Sequence, residues 1–229
     1  MNYTFIKNCR DEGYGGTGIL IHPSLILEEI KIPNMTLETT IIKIKNIKKP
    51  TIFISLYIPP NEPYDYVKRN LEKLFEYFHS CGSQVLLGGD VNAHHQMWCN
   101  NTDKSDKRGE LISELLTNSN IIYLNTGTAT RWEDIHQKES AIDITITSPE
   151  HSTQVTWEIN EHEDLGSDHK LIQCQIINDN KFRKTYSRTI LNKSKVLKNI
   201  NEIDPKSLKT VENMNKSIEE AINKSLYVI

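Results

Sequence analysis

Six side chains in this 229-residue sequence have the chemical types needed to hydrolyse a phosphate ester, and each lies near the start or end of an apolar run. They are Tyr57, Asp90, Asn92, Asp143, Asp168 and His169. A carboxylate can orient or deprotonate water or hold a divalent cation, and an amide or protonated imidazole can donate to a phosphoryl oxygen. Their arrangement in four short segments of fixed order predicts phosphodiester chemistry.

Asp90 and Asn92 follow an apolar strand that stops at two glycines, in the segment LLGGDVNAHH at residues 86–95. Glycines permit close backbone approach, and period-two alternation predicts that both side chains lie on one side of the strand. Asp90 is the candidate for activating water, and Asn92 the candidate for donating to a phosphoryl oxygen. The alternative is an Asx turn that ends the strand, and this segment alone favours neither interpretation.

Asp168 and His169 are adjacent in the segment GSDHKLI at residues 166–172. A protonated His169 can donate to the phosphate if a carboxylate holds its ring and raises its pKa, and Asp143 is the candidate for that carboxylate. Asp168 would then face the cation. Tyr57 ends a strand that runs into two prolines, which places its phenol near the same rim. Taken singly, the Asp-His pair is more typical of a surface loop and the tyrosine of packing.

The hydrophobic pattern predicts many short strands and few helices. The predicted strands are residues 39–45, 51–57, 84–88, 121–125, 142–147, 153–159 and 171–177, and the predicted helices are 64–80 and 108–118. The strands are rich in β-branched residues and are bounded by Gly, Pro, Asn or Ser. This pattern favours an α+β fold in which two packed sheets carry helices on their outer faces.

Charge divides the chain after residue 180. Residues 1–180 hold 16 basic and 25 acidic side chains (net -9), whereas residues 181–229 hold 11 and 5 (net +6). We interpret 1–180 as one domain and 181–229 as a basic linker followed by an amphipathic helix that starts near Asp204. An acidic body suits a cation-requiring site and a basic tail suits a nearby polyanion, but charge alone favours solvated surface for both. The sequence contains neither a membrane-length apolar run nor a signal peptide, and its four cysteines form no CxxC pair, so we expect an intracellular protein with reduced thiols.

Taken together, the segments resemble the endonuclease/exonuclease/phosphatase superfamily, and within it the AP-endonuclease-like domain of non-LTR retrotransposons. Three further segments are similar to that subgroup: GGTGILIHPSL at residues 15–25, Arg108-Gly109-Glu110, and residues 128–132 ahead of 140–143. The resemblance spans about residues 3–177. It implies a four-layer α/β/β/α sandwich of the DNase I type and nicking of target DNA that depends on Mg²⁺ or Mn²⁺.

The resemblance also implies a role for each candidate residue. Asp90 corresponds to the water-activating acid, Asn92 and His169 to phosphate ligands, Asp143 to the partner of the histidine, Asp168 with Asp90 to the metal-side acids, and Tyr57 to the phenol beside the phosphate. Arg131 and Thr130 belong to a hairpin segment that contacts the DNA groove beside the cut in this family. We therefore expect that hairpin to be exposed next to the rim.

One departure from the family pattern concerns the first strand, helix and strand, which the resemblance places ahead of residue 2 and which span roughly 40 residues. They carry the main metal-binding glutamate, and Glu38 lies too late in the chain to replace it. We therefore expect weak cation binding and impaired nicking in an N-terminally truncated domain. The expected partners are DNA and the reverse transcriptase region of a parent polyprotein, with function in the nucleus and no membrane. The alternatives are an inactive retroelement remnant and another phosphoesterase of the superfamily.

Overall fold

The computed structural model describes residues 2–9, 15–100, 104–133, 138–160 and 166–177, and short stretches at 189–191, 198–199, 220 and 226–228. The chain divides into two compact units, residues 1–182 and 183–229. Every candidate site residue lies in the first unit. None of the helices in the described residues is long and apolar enough to cross a membrane.

A six-stranded mixed sheet forms the centre of the first unit. Its strands, in spatial order, are β3 (Leu27–Glu29), β4 (Glu38–Ile44), β5 (Thr51–Tyr57), β6 (Gln84–Asp90), β10 (Asp143–Thr147) and β7 (Ile122–Tyr123). Strands β5 and β6 run parallel, and the other neighbours are antiparallel. The predicted strands at 51–57 and 84–88 are therefore adjacent, and they end side by side at one edge of the sheet.

Two helices cover one face of this sheet. Helix α1 (Tyr64–Ser80) connects β5 to β6, which allows these two strands to run parallel, and α2 (Lys107–Asn118) packs beside it. Helix α1 buries Val67, Leu71, Leu74 and Phe75, which recur at helical spacing and lie on one face. The main core lies between these helices and the inward-facing residues of β4, β5, β6 and β10. A one-turn helix, α3 (Pro149–Ser152), follows β10.

Two antiparallel hairpins pack on the opposite face of the sheet. The first consists of β1 (Thr4–Asn8) and β2 (Thr17–Ile21), and the second of β11 (Val155–Asn160) and β12 (Leu171–Ile176). Ile21 of the first joins Ile42 and Ile44 in a second apolar cluster. In the other hairpin, Trp157 donates to the hydroxyl of Thr145 over 3.0 Å. The described residues thus form a helix layer, a sheet and a hairpin layer, within the α+β class that the sequence predicted.

Several elements differ from the sequence prediction. The strands of the first hairpin and β3 were not predicted, because they are short and expose much of their surface. A small hairpin of β8 (Arg131–Glu133) and β9 (Lys138–Ser140) lies where the resemblance implied one. The predicted strand at 121–125 shrinks to the two residues of β7. In the second unit, β13 (Thr189–Leu191) pairs with β14 (Leu226–Val228), so a strand lies in the segment that was predicted to be an amphipathic helix. Most of the predicted C-terminal helix lies outside the described residues.

The two glycines that end β6 have different structural roles. A Cβ atom added to Gly89 would collide with the backbone carbonyl of Leu56 on the neighbouring strand, whereas one added to Gly88 meets none of the described atoms within 4 Å. We expect Gly89→Ala to destabilise the fold by about 1–3 kcal/mol or more, because strained packing against backbone cannot relax by rotating a side chain. Gly88→Ala is the matched control, with a change within about 0.5 kcal/mol. Urea unfolding of the two variants measures the difference, and equal stabilities would contradict this packing account.

Candidate active site

The ends of four neighbouring strands align four side chains in one row. Glu38 of β4 is the partner of Tyr57 on β5. Asp90 of β6 is in register with Tyr57 on one side and with Asp143 of β10 on the other. Directly paired residues project to the same face of a sheet, so the four side chains form a polar row beside the two hairpins. We call the edge of the sheet that carries this row the rim.

His169 links the two aspartates of the row. Its Nδ1 lies 3.0 Å from Oδ2 and 3.2 Å from Oδ1 of Asp143, and its Nε2 lies 4.0 Å from Oδ2 of Asp90. Two carboxylates directly opposite each other on paired strands repel, so a protonated imidazole between them is favoured. Asp143 orients the ring, and the opposite nitrogen faces Asp90.

The electrostatics of these groups suit proton transfer. Burial raises the pKa of Asp90, as does the neighbouring charge of Asp143, while the backbone N–H of Asn92 opposes the shift. The hydrogen bond to Asp143 raises the pKa of His169, against a smaller opposing effect of burial. A more basic carboxylate is a better proton acceptor, and a histidine with a raised pKa holds its proton to higher pH. Asp90 is therefore suited to accept a proton, and His169 is suited to donate one.

We expect a nuclear magnetic resonance titration of the metal-free protein to give His169 a pKa above its ordinary value of 6.5. Because the folded protein binds this proton more tightly, its stabilising contribution is complete below pH 6.5 and is lost as pH rises through the folded-state pKa. In Asp143→Asn the pKa should fall, since the hydrogen bond to a carboxylate is gone and burial remains. An unchanged imidazole titration in that variant would contradict the pairing.

Asn92 is positioned by a turn and not by strand alternation. Strand β6 ends at Asp90, and Asn92 has a left-handed backbone with a φ of 46°. Its backbone N–H donates to Asp90 Oδ1 over 2.9 Å, and its side-chain amide donates to Asp90 Oδ2 and to the carbonyl of Ile58 over 3.1 and 3.0 Å. The structure therefore contains the Asx turn considered for this segment. In this conformation the amide orients Asp90, because its N–H groups donate to Ile58 and Asp90. The donation from Asn92 to a phosphoryl oxygen remains a prediction.

Thr130 lies beneath the rim. It is fully buried, and its hydroxyl donates to Asp143 Oδ2 over 2.6 Å. The backbone of Thr130 pairs with Ser140 and Lys170, so this residue joins β9 to the segment that carries His169. A side chain with no exposed surface cannot contact DNA. The direct DNA contact expected for Thr130 is therefore corrected to a role in holding Asp143.

Arg131 and Asp168 form an ion pair beside His169. The Nε of Arg131 donates to Asp168 Oδ2 over 2.7 Å, and this hydrogen bond lowers the pKa of Asp168. Arg131 also lies opposite His169 in an isolated antiparallel bridge, which puts the β8–β9 hairpin next to the rim. Trp132 of this hairpin is 39% exposed. The tip, residues 134–137, lies outside the described residues, and the predicted contact of Arg131 with DNA remains a prediction.

Sequence reasoning did not assign Glu38 to the site. It lies two strands from Asp90, which is about 9.5 Å at the usual strand spacing. Its Oε2 accepts from the backbone N–H of Gly16 over 2.5 Å, so the glycine end of the β1–β2 hairpin approaches the row. Glu38 directly precedes the predicted strand at residues 39–45, but its alignment with Tyr57 depends on strand register. Glu38 adds a further negative charge to the rim.

The carboxylates of the rim suit a hard divalent cation by their chemistry. Mg²⁺ takes oxygen ligands and usually keeps one or two carboxylates, with water and substrate phosphate completing the shell. Asp90 retains lone pairs beyond its two bonds to Asn92, and Asp168 is about half exposed. The described residues contain no group of three or more His, Cys, Asp or Glu side chains arranged around one metal position. The rim carboxylates therefore do not form a metal site by themselves, and their oxygen chemistry suits a cation whose shell is completed by water and phosphate.

Comparison with protein families gives a match over the region that contains the rim. Residues 51–173 match the family model described as endonuclease-reverse transcriptase, which is more than half of the chain. The chain belongs to this family. Its members are metal-dependent nucleases. The resemblance to a non-LTR retrotransposon endonuclease domain of the endonuclease/exonuclease/phosphatase superfamily is confirmed.

Two proteins of Drosophila melanogaster are similar to this endonuclease-family chain. A probable RNA-directed DNA polymerase from transposon BS is 26% identical over 231 residues, which cover 94% of this chain and 23% of that protein. A putative 115 kDa protein in the type-1 retrotransposable element R1DM is 33% identical over 94 residues, which cover 38% of this chain and 9% of that protein. The chain therefore spans less than a quarter of the length of either relative.

Solved structures confirm the fold of this endonuclease-family domain. The endonuclease domain of TRAS1, a telomere-specific non-LTR retrotransposon, superposes with a TM-score of 0.66 at 18% identity and covers 78% of this chain and 81% of that one. D. rerio TDP2 complexed with a single-strand DNA product gives a TM-score of 0.50 at 15% identity, covering 75% and 76%. The DNase I-like architecture expected from the sequence is thus confirmed.

Proposed function

We infer that this chain is an endonuclease domain that hydrolyses a phosphodiester bond of DNA with the help of a divalent cation. One observation carries this conclusion. His169 is held by Asp143 at 3.0 Å with its other nitrogen 4.0 Å from Asp90, at the rim of a fold shared with a retrotransposon endonuclease. A phosphate placed against Nε2 of His169 would have a carboxylate beside it that can activate water.

The proposed mechanism assigns one task to each rim residue. Asp90, oriented by Asn92, accepts a proton from the water that attacks phosphorus. The P–O bond to the leaving sugar oxygen breaks, and that oxygen takes a proton from solvent. His169 donates a hydrogen bond to a phosphoryl oxygen as negative charge builds in the transition state, and Asp143 keeps its ring oriented and protonated. Tyr57 lies next to Asp90 in the row, where its phenol can donate to the same phosphate. A cation held by Asp90 and Asp168 would neutralise negative charge on the phosphate.

The cation is proposed to be Mg²⁺, with Mn²⁺ as a substitute. Since phosphate completes the ligand shell, we propose that the cation binds weakly without DNA. Other DNA contacts would come from Arg131 beside the rim, because guanidinium groups bind phosphate oxygens well. The name of one relative, a probable RNA-directed DNA polymerase from a transposon, also supports a reverse transcriptase region in the parent polyprotein. Action in the nucleus is part of the proposal.

A comparison of substrates tests this function against the alternatives. The purified chain is incubated with Mg²⁺ or Mn²⁺ and either a labelled DNA duplex or a small phosphomonoester such as p-nitrophenyl phosphate. We expect internal cuts in the duplex, no phosphate release from the monoester, and complete inhibition by a chelator. Hydrolysis of the monoester alone would favour another phosphoesterase, and inactivity on both would favour an inactive remnant.

A further inference from the structure

The guanidinium of Arg108 donates hydrogen bonds to backbone carbonyls of two separate segments at the rim. Its Nη1 donates to Val91 and Asn92 over 3.1 and 3.2 Å. Its Nη2 donates to Pro60 and Glu62 over 2.9 and 3.4 Å. The first two residues directly follow β6, which carries Asp90, and the other two follow β5, which carries Tyr57. One side chain therefore joins the segments that leave the two central strands of the site.

Contacts in the first turn of α2 fix the position of Arg108 relative to these two segments. Asp106 caps the helix by accepting from the N–H of Gly109 over 2.7 Å, and it also accepts from the N–H of His94 over 2.9 Å. A Cβ on Gly109 would collide with the carbonyl of His94, so glycine is needed for this close packing. These contacts account for the Arg108-Gly109 pair. The glycine lets the helix approach, and the arginine reaches past it to the loops.

An arginine suits this position for a geometric reason. The planar guanidinium has five N–H donors in a rigid fork, so its two arms can serve carbonyls of different segments at once. A lysine ammonium has three donors on one atom and cannot span both pairs of carbonyls. The side chain is partly buried, and burial lowers the pKa of Arg108. Hydrogen bonds from a partly desolvated charged donor are stronger than those on the open surface.

We propose that Arg108 is a positioning residue of the rim, which fixes the Asp90–Asn92 turn relative to the strand end that carries Tyr57. It acts through backbone carbonyls and does not touch the substrate. Asn92 is the sensitive point, because its φ of 46° lies in the left-handed region, which asparagine adopts more readily than most residues, and because contacts to both segments support it here. Its amide joins the same two segments by donating to Ile58 and Asp90. The catalytic consequence rests on the proposed endonuclease function, whereas the geometric consequence does not.

Arg108→Lys tests the proposal, with Arg69→Lys as a matched control. Arg69 is an exposed residue of α1 that donates to its own helix, away from the rim. We expect Arg108→Lys to remain folded while the side-chain amide signals of Asn92 shift and exchange faster with solvent in nuclear magnetic resonance spectra. Its nicking rate should fall on the order of 10- to 100-fold, since small misplacements of reacting groups have effects of this size. Arg69→Lys should change neither readout.

Three results would overturn the proposal. The first is an unchanged set of Asn92 amide signals in a folded Arg108→Lys protein, and this holds whether or not the unmodified chain nicks DNA. The second is shifted Asn92 signals with full nicking activity. The third is loss of the folded state in both Arg108→Lys and Arg108→Gln, because Arg108 would then be a determinant of the fold as a whole. If the unmodified chain fails to nick DNA, the endonuclease function fails, and the Asn92 signals still decide the role of Arg108.

Discussion

Replacing Asp90 by asparagine should lower the DNA nicking rate by about 10²- to 10⁴-fold, the range found when a general base is removed. The carboxylate has a raised pKa, accepts two hydrogen bonds from Asn92 and lies 4.0 Å from His169. Asparagine keeps the size of the side chain but cannot accept a proton from water. The substitution also removes one of the two carboxylates assigned to the cation. A higher Mg²⁺ concentration can offset that loss, but it should not restore the full rate, because the base is still missing.

The measurement is the initial rate of nicking of a supercoiled plasmid at several Mg²⁺ concentrations. Asp65→Asn, an exposed position in the first turn of α1, is the matched control and should retain the full rate. The thermal unfolding midpoint of each variant separates a loss of chemistry from a loss of fold. A folded Asp90→Asn protein that nicks as fast as the unmodified chain would contradict the assignment of Asp90 as the base.

Replacing Asp143 by asparagine should lower the rate on the order of 10²-fold or more, through its effect on His169. An amide at this position accepts a hydrogen bond without a negative charge, so the protonated imidazole loses its main stabilising partner. Thr130 also donates to this carboxylate, and the hydroxyl would then face an amide that can present its own donor. We expect a smaller fraction of His169 to be protonated, and we expect its ring to be held less firmly in its present orientation.

A double-substitution cycle tests whether Asp143 and His169 act as one unit. If they do, the double variant Asp143→Asn with His169→Gln should be about as slow as His169→Gln alone, since the second loss removes a function already absent. If the rate effects of the two single substitutions multiply in the double variant, Asp143 acts independently of His169. The pH profile adds a second criterion. In the unmodified chain the rate should decline as pH rises through the raised pKa of His169, and in Asp143→Asn this decline should begin at lower pH.

Much of the rim could be predicted from sequence because its residues terminate strongly patterned elements. Strand β5 and helix α1 have the bounds that their patterns predicted, and β6 extends two residues beyond its predicted end. Tyr57, Asp90 and Asp143 lie at strand ends, and such ends are recognised from an apolar run that meets polar residues or proline. The His169–Asp143 pair was predicted from chemistry, since a protonated histidine needs a carboxylate nearby.

Other features depend on contacts between residues distant in sequence. The alignment of Glu38 with Tyr57 requires the register of β4 against β5, and a shift of one residue would turn Glu38 to the other face. The left-handed backbone of Asn92 is likewise stabilised by tertiary contacts, including the guanidinium of Arg108. The burial of Thr130 follows from packing between β9 and the His169 segment, and local polarity gave no sign of it.

The most direct test of the endonuclease assignment is conversion of supercoiled plasmid to the open circular form by the purified chain. We predict conversion that begins on addition of Mg²⁺ or Mn²⁺, increases with time and enzyme concentration, and stops on addition of a chelator, with the Asp90→Asn protein run in parallel as the inactive reference. A folded chain that leaves the plasmid supercoiled at every concentration of either cation, or that nicks it equally well with the chelator present, would contradict the account.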